Sequence, residues 1–156
     1  MATKTYSLSL SSEDATAALA QALAPLLRIG DCFLLEGSIG AGKTAFSRAL
    51  IRARLGRAED VPSPTFTLVQ TYDDPNGDIW HCDLYRLTHP DEALELGLEE
   101  AFTSAICLIE WPDRLGDDQP SDAALLAFSV GADAHHLEMT LNPEMQSRFA
   151  AVLPDA

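Results

Sequence analysis

One short stretch of the sequence, Gly37–Thr44, has the composition and spacing of a phosphate-binding loop. It reads G-x-x-x-x-G-K-T, in which the glycines allow positive φ angles and a close approach of the backbone to a phosphate. Successive backbone N–H groups of such a loop form an anion-binding nest, and the helix that follows presents its positive end to the same phosphates. Lys43 would contact the β- and γ-phosphates, and the Thr44 hydroxyl would bind Mg²⁺. The sequence therefore predicts a nucleotide-binding protein.

The residues on either side of this loop have the patterns that the motif requires. Cys32–Leu35 is a continuous apolar run, which is typical of a strand covered on both faces. Ala45–Leu55 has apolar residues at helical spacing, and Gly56 is well placed to end that helix. A preceding strand and a following helix are the context in which this motif binds a nucleotide. The predicted nucleotide contacts are Gly37, Ser38, Ile39, Gly40, Ala41, Gly42, Lys43, Thr44 and Ala45.

Phosphoryl transfer also requires a carboxylate near the metal and a group that places the attacking oxygen. Two carboxylates follow apolar, strand-like runs, namely Asp83 and Glu110. Either could bind Mg²⁺ directly or through water, and both assignments stay open at this point. The segment Pro62–Thr67 is a candidate γ-phosphate sensor through its hydroxyl groups, although the segment alone fits a simple connecting loop better. The candidate catalytic residues are Lys43, Thr65, Asp83 and Glu110, and the candidate metal ligands are Thr44, Asp83 and Glu110.

The sequence indicates the identity of the nucleotide base, and the roles of Trp111, the histidines and the cysteines, less strongly. The chain has no Asn-Lys-x-Asp stretch, the usual guanine-reading element, so ATP is expected rather than GTP. Trp111, next to Glu110, either packs at the strand end or stacks near the nucleotide. The four histidines show no metal-ligand spacing and are interpreted as structural or surface residues. The three cysteines lie within apolar runs and are expected to be buried, reduced thiols.

The composition is that of a globular protein of one domain. The 156 residues fit a single nucleotide-binding domain, 1–156, and 47% of them are apolar. No stretch reaches the roughly 18 uninterrupted apolar residues of a membrane span. The first ten residues lack the apolar segment of a signal peptide, so we expect a cytoplasmic protein without a membrane partner. The net charge of −14 argues against direct binding of nucleic acid, which requires Lys and Arg to displace counterions.

The alternation of strand and helix patterns predicts a layered α/β domain. We expect a single-domain P-loop NTPase fold, with a mixed, mainly parallel central sheet flanked by helices and carrying antiparallel hairpins. One hairpin is predicted within Phe66–Leu84, across a turn dense in Asp, Asn and Gly, and a second within Leu125–Leu141. Ser11, Ser12 and the acidic residues after them predict the start of the first helix.

Four motifs follow one another in a specific order along the chain. They are Glu36–Thr44, Ser63–Thr67, His81–Leu87 and Ile109–Pro112. In this order they resemble the TsaE family, a small bacterial ATPase needed to make threonylcarbamoyladenosine at position 37 of tRNA. The resemblance extends from about Leu8 to about Leu141.

The resemblance implies an ATPase that works within a complex. Members of the family bind ATP and Mg²⁺ and associate with the TsaD and TsaB proteins, which carry out the carbamoyl transfer to tRNA. The tRNA would then be bound only indirectly, through the complex. The hydrolysis of ATP in the family is thought to reset the complex rather than to drive the transfer.

The resemblance also implies roles for individual residues. Lys43 would bind phosphate, Thr44 would bind Mg²⁺, and Thr65 would lie in a switch-like loop. Asp83 and Glu110 would be the acidic pair near the metal, with Glu110 the stronger metal candidate.

Two further positions resemble nucleotide contacts of the family, and three depart from its pattern. Trp111 would lie near the nucleotide, and the start of the first helix, at Ser11, would approach the adenine. The family usually has an acid where this chain has Ser38 and commonly a Thr where it has Ala45. It often has an Arg in the hairpin where this chain has His135–His136. The change at Ser38 removes a negative charge beside the phosphates and could alter nucleotide affinity or hydrolysis.

Two other functions stay open. A small-molecule kinase could use the same loop, but such enzymes usually close a basic lid over the phosphates, and the ten basic residues here do not cluster. A non-catalytic nucleotide-dependent assembly module would use ATP only to order the switch-like segment.

Overall fold

The computed structural model describes residues 3–37, 42–56, 61 and 68–154. Within these residues, seven strands form one sheet and five α-helices flank it. The strands are β1 (Lys4–Leu10), β2 (Cys32–Glu36), β3 (Val69–Tyr72), β4 (Ile79–Asp83), β5 (Ile106–Glu110), β6 (Ala124–Val130) and β7 (His135–Leu141). The helices are α1 (Glu13–Leu23), α2 (Lys43–Leu55), α3 (Pro90–Glu95), α4 (Leu98–Ser104) and α5 (Pro143–Arg148). Two 3₁₀ helices span Ala24–Leu26 and Pro112–Asp118.

The sheet has the strand order β1-β7-β6-β2-β5-β4-β3. Its four central strands are parallel, since β2 pairs with β5 and β6, and β5 pairs with β4. The outer strands pair antiparallel, as β3 with β4, β6 with β7, and β1 with β7. This confirms the predicted fold class, a mixed sheet with a parallel centre, and both predicted hairpins.

Each face of the central strands carries its own apolar core. In β2, Phe33 and Leu35 pack with residues of α1, α2 and α5, whereas Cys32 and Leu34 pack on the other face with residues of α4. This double coverage explains the continuous apolar runs of the parallel strands. All three cysteines are free and buried, as expected. Burial raises the pKa of the Cys107 thiol to about 12, and those of Cys32 and Cys82 also lie well above the ordinary value.

The helix ends lie where short polar residues or glycines permit them. Ser12 caps α1, since its Oγ accepts a hydrogen bond from the Ala15 backbone N–H at 3.1 Å. Gly56 ends α2 with a left-handed φ of 68°. Gly97 separates α3 from α4 with φ of 85°. None of the described helices is long and apolar enough to cross a membrane.

The parallel strands bring three functional segments to one edge of the sheet. Leu35 of β2 and Asp83 of β4 both pair with Glu110, which ends β5. The phosphate-binding loop starts directly after β2, so its first residue lies at the same edge. The carboxyl ends of parallel strands are where α/β proteins bind their ligands.

A buried ion pair fixes α5 to the other end of β2. Arg148 Nη2 donates to Asp31 Oδ1 at 2.9 Å, and its Nη1 donates to Asp31 Oδ2 and to the Leu26 carbonyl oxygen. The two side chains are only 7% and 8% exposed. Arg148 also pairs with Glu144, whose side chain is 58% exposed. Hydrogen bonding to Arg148 lowers the pKa of Glu144 below its usual range.

We expect the substitution Arg148→Met to lower the free energy of unfolding by about 3 kcal/mol, because Asp31 would remain buried without its cation. Urea-induced unfolding followed by circular dichroism measures this change. The matched control is Glu144→Gln, which removes an exposed partner of the same Arg148 and should cost less than about 1 kcal/mol. Equal losses in both variants would show that the Asp31 contact contributes nothing beyond a surface ion pair.

Candidate functional site

The predicted site residues that the structure describes meet at one cleft of about 780 Å³. The start of α2, the ends of β4 and β5, the start of α1 and the β6–β7 turn all line it. Its lining includes Ser11, Gly42, Lys43, Thr44, Ala45, Asp83, Glu110 and Trp111. Gly37 does not line the cleft, but its carbonyl oxygen accepts a hydrogen bond from Lys43 Nζ. The predicted site residues Ser38, Ile39, Gly40, Ala41 and Thr65 lie outside the described part of the chain.

Lys43 lies at the wall of this cleft, in the first turn of α2. Its Nζ donates to the Gly37 carbonyl oxygen at 2.7 Å and lies 3.8 Å from the centroid of the Trp111 ring. Burial lowers the pKa of Lys43 below its ordinary value, and the carboxylates of Glu110, Asp83 and Asp113 oppose that shift. The ammonium group is therefore positioned beside the start of the loop, with carboxylates nearby.

Thr44 and Glu110 are in direct contact across the cleft. The Thr44 hydroxyl donates to Glu110 Oε1 at 3.1 Å, and Glu110 is only 2% exposed. Both are hard oxygen donors, the type that Mg²⁺ prefers. Among the described residues no cluster of three or more His, Cys, Asp or Glu could hold a metal ion.

Asp83 lies beside Glu110 on the neighbouring strand. Its side chain is buried, and Oδ1 accepts a hydrogen bond from the Tyr85 backbone N–H at 3.0 Å. Tyr85 follows the strand, so this bond fixes the carboxylate to the turn after β4. The acidic pair that the sequence predicted is therefore brought together, and Glu110 is the member that contacts Thr44.

His81 does not line the cleft, but it contacts Glu110, which does, and the sequence analysis missed this contact. Its ring is fully buried, and Nε2 lies 2.7 Å from Glu110 Oε2. Nδ1 has no hydrogen-bond partner among the described residues, so the network assigns the proton to Nε2, which donates to Glu110. One signal was present in the sequence. Residues i and i+2 of a strand share a face, which places His81 on the same face of β4 as Asp83.

The β6–β7 turn and two aromatic rings form the rest of the cleft wall. Residues 130–135 line one side, including His135 of the pair that departs from the family pattern. Tyr85, which the sequence analysis did not single out, also lines the cleft and is 47% exposed. Its ring packs on Trp111 at a centroid distance of 4.8 Å. Trp111 is therefore packed at the strand end and also faces the cleft, so the two interpretations of this residue are compatible.

Comparison with known proteins gives a family match over most of the chain. The model of the family described as threonylcarbamoyl adenosine biosynthesis protein TsaE matches residues 10–141. The chain belongs to the TsaE family. The matched region contains the phosphate-binding loop, both carboxylates and His81.

Individual members of the TsaE family show the same relationship. The tRNA threonylcarbamoyladenosine biosynthesis protein TsaE of Rickettsia bellii is 47% identical over 104 residues, which cover 67% of this chain and 72% of that protein. The matched regions of the proteins of the same name from Rickettsia felis and Rickettsia conorii span 62% and 59% of their lengths. The protein of that name from Bacillus subtilis is 35% identical over 119 residues, covering 76% of this chain and 73% of that protein.

A solved structure is similar over nearly the whole chain. The crystal structure of Bacillus subtilis YdiB superimposes with a TM-score of 0.81 and 26% sequence identity. The superposition covers 97% of this chain and 96% of that chain.

Gly37 is required at the start of the phosphate-binding loop for two reasons. Its φ of 137° is rarely adopted by other residues, and a Cβ at this position would lie 2.4 Å from the Phe128 carbonyl oxygen. Gly30 also has a positive φ, 96°, but a Cβ there would meet nothing within 4 Å.

We expect Gly37→Ala to lower the free energy of unfolding by about 3 kcal/mol, because backbone strain adds to a clash with the β6 backbone. The matched control Gly30→Ala should cost about 1 kcal/mol from strain alone. Thermal and urea-induced unfolding measure both values. If Gly37→Ala cost no more than Gly30→Ala, the close approach of β6 to the loop would not constrain this position.

Proposed function

We propose that this chain is a Mg²⁺-dependent ATPase that acts in the threonylcarbamoyladenosine modification of tRNA, together with the TsaD and TsaB proteins. The observation that carries the proposal is the contact of Thr44 with Glu110 beside the phosphate-binding loop. The oxygens of these two side chains lie at the start of α2 and are of the type that binds Mg²⁺, which supports a metal site here. The names of the relatives supply the pathway, since each is a tRNA threonylcarbamoyladenosine biosynthesis protein.

The proposal gives each described site residue a distinct task. Lys43 would bind the β- and γ-phosphates with the N–H donors that its bond to the Gly37 carbonyl oxygen leaves available. Thr44 and Glu110 would bind the metal directly, and Asp83 would hold one of its water ligands. Mg²⁺, when bound, would neutralise charge on the phosphate oxygens. Thr65 is proposed to lie near the terminal phosphate.

The nucleotide is proposed to be ATP, with its base near the start of α1. Ser11, Ser12 and Glu13 line the cleft next to the β6–β7 turn, since Leu10 pairs with His135 in the sheet. These groups offer hydroxyl, carboxylate and backbone contacts to a base. The absence of an Asn-Lys-x-Asp stretch removes the usual guanine-reading contacts.

The negative net charge of the chain supports a role in which partner proteins, rather than this chain, bind the tRNA. A net charge of −14 opposes the approach of a phosphate backbone, because sequence-independent binding of nucleic acid depends on Lys and Arg. The tRNA is therefore proposed to be held by the TsaD and TsaB proteins, and this chain to be a cytoplasmic component that hydrolyses ATP in their complex.

The direct test is ATP hydrolysis by the pure protein, alone and with the TsaD and TsaB proteins. We expect a low rate alone, a higher rate with the partners, and a loss of about 100-fold in Glu110→Gln, which removes a charge from the metal site. The matched control is Glu144→Gln, the same chemical change on the exposed side of α5, which should keep the full rate.

Three results would overturn parts of this proposal. Hydrolysis that the partners leave unchanged would separate the ATPase from tRNA modification. Bound ATP without turnover in any mixture would favour a nucleotide-dependent assembly module. Transfer of the γ-phosphate to a metabolite would identify a kinase.

A further inference from the structure

We propose that His81 is a positioning residue for the metal-binding carboxylate. By holding Glu110 Oε2, it turns Glu110 Oε1 toward Thr44 and the metal position. The inference rests on the proposed function, because it assigns His81 a role in binding a metal–nucleotide complex. It predicts that metal-dependent nucleotide binding requires the His81 contact and that metal-free binding does not.

The first support is that the two carboxylate oxygens of Glu110 have different partners. Oε1 accepts from the Thr44 hydroxyl at 3.1 Å, whereas Oε2 lies 2.7 Å from His81 Nε2. A carboxylate with one oxygen fixed by a ring donor presents the other oxygen in one direction. Contacts of this kind orient metal ligands and raise their affinity for the ion.

The second support is that His81 and Glu110 lie on neighbouring, hydrogen-bonded strands. β4 and β5 are parallel, and Asp83 pairs with Glu110 in the register of the sheet. His81 lies two residues before Asp83, on the same face, and its pairing partner Leu108 lies two residues before Glu110. The ring therefore reaches along the strand direction to the carboxylate, from a backbone position that sheet hydrogen bonds fix.

The third support is the cost of keeping a histidine at this position. The His81 side chain is 0% exposed, and its Nδ1 has no hydrogen-bond partner among the described residues. An unpaired buried polar atom is unfavourable, so keeping the ring at this position has a cost that another interaction must offset. Among the described residues the ring makes one polar contact, with Glu110, which points to that contact as the reason for the residue.

The test compares His81→Gln with His81→Asn. Both introduce the same amide group, but the amide nitrogen of Gln can take the position of Nε2, whereas that of Asn falls short, near Nδ1. Two affinities are measured by calorimetry, that of ADP in the presence of a chelator and that of ADP with excess Mg²⁺. A third, the affinity of the protein–ADP complex for Mn²⁺, is measured by electron paramagnetic resonance.

We expect His81→Asn to weaken Mn²⁺ binding by about tenfold and to leave metal-free ADP affinity unchanged. His81→Gln should restore Mn²⁺ binding to near the wild-type value. Thermal unfolding of each variant reports whether it is folded. If His81→Asn does not fold, His81→Leu, which fills the space with an apolar group, should show the same selective loss.

Some outcomes would contradict the role of His81 alone, and another would contradict the metal-dependent function itself. If Gln and Asn variants bind Mn²⁺ equally well, or if both lose ADP affinity with and without metal, His81 has only a structural role. If the wild-type protein binds ADP no more tightly with Mg²⁺ than without it, the metal-dependent function fails, and the role of His81 fails with it.

Discussion

The cleft depends on the parallel pairing of β5 with β2 on one side and β4 on the other. This register sets Leu35 and Asp83 beside Glu110, so the phosphate-binding loop and both carboxylates leave the sheet at one edge. A shift of one residue would turn Glu110 to the opposite face of the sheet, away from Thr44 and His81. The apolar residues that cover both faces of these strands therefore determine the chemistry of the site, because they determine the register.

The site concentrates buried charge at the end of this apolar core. Lys43, Asp83 and Glu110 are each at most 6% exposed, and removal of such groups from water is costly unless they are paired. Their contacts with Gly37, Tyr85, Thr44 and His81 compensate part of that cost. A ligand that carries both signs of charge, phosphates for the ammonium and a cation for the carboxylates, would compensate the rest. This need favours a metal–nucleotide complex over either component alone.

The sequence predicted the features that depend on neighbouring residues. The strand–loop–helix unit, the two hairpins and the cap at Ser12 all follow from local periodicity and turn chemistry. The sheet order does not, since the pairing of β6 with β2 depends on contacts between distant segments. The contact of His81 with Glu110, 29 residues away, is also invisible until β4 and β5 are aligned. Thr65 and residues 38–41 lie outside the described chain, so their roles stay predictions.

The backbone conformation of Trp111 explains how Glu110 and Trp111, which are adjacent in the chain, can both line the cleft. Successive side chains of a strand point to opposite faces of the sheet, so an extended Trp111 would face away from Glu110. Its left-handed conformation, with φ of 60° and ψ of 55°, turns the chain at the end of β5. Such a conformation costs on the order of 1–3 kcal/mol in a bulky residue. The Trp111 N–H bond to the Leu35 carbonyl oxygen and the packing on Tyr85 hold it, and the indole ring then covers the ammonium of Lys43. The strain is therefore located where it joins Glu110, the proposed metal ligand, to Lys43, the proposed phosphate ligand.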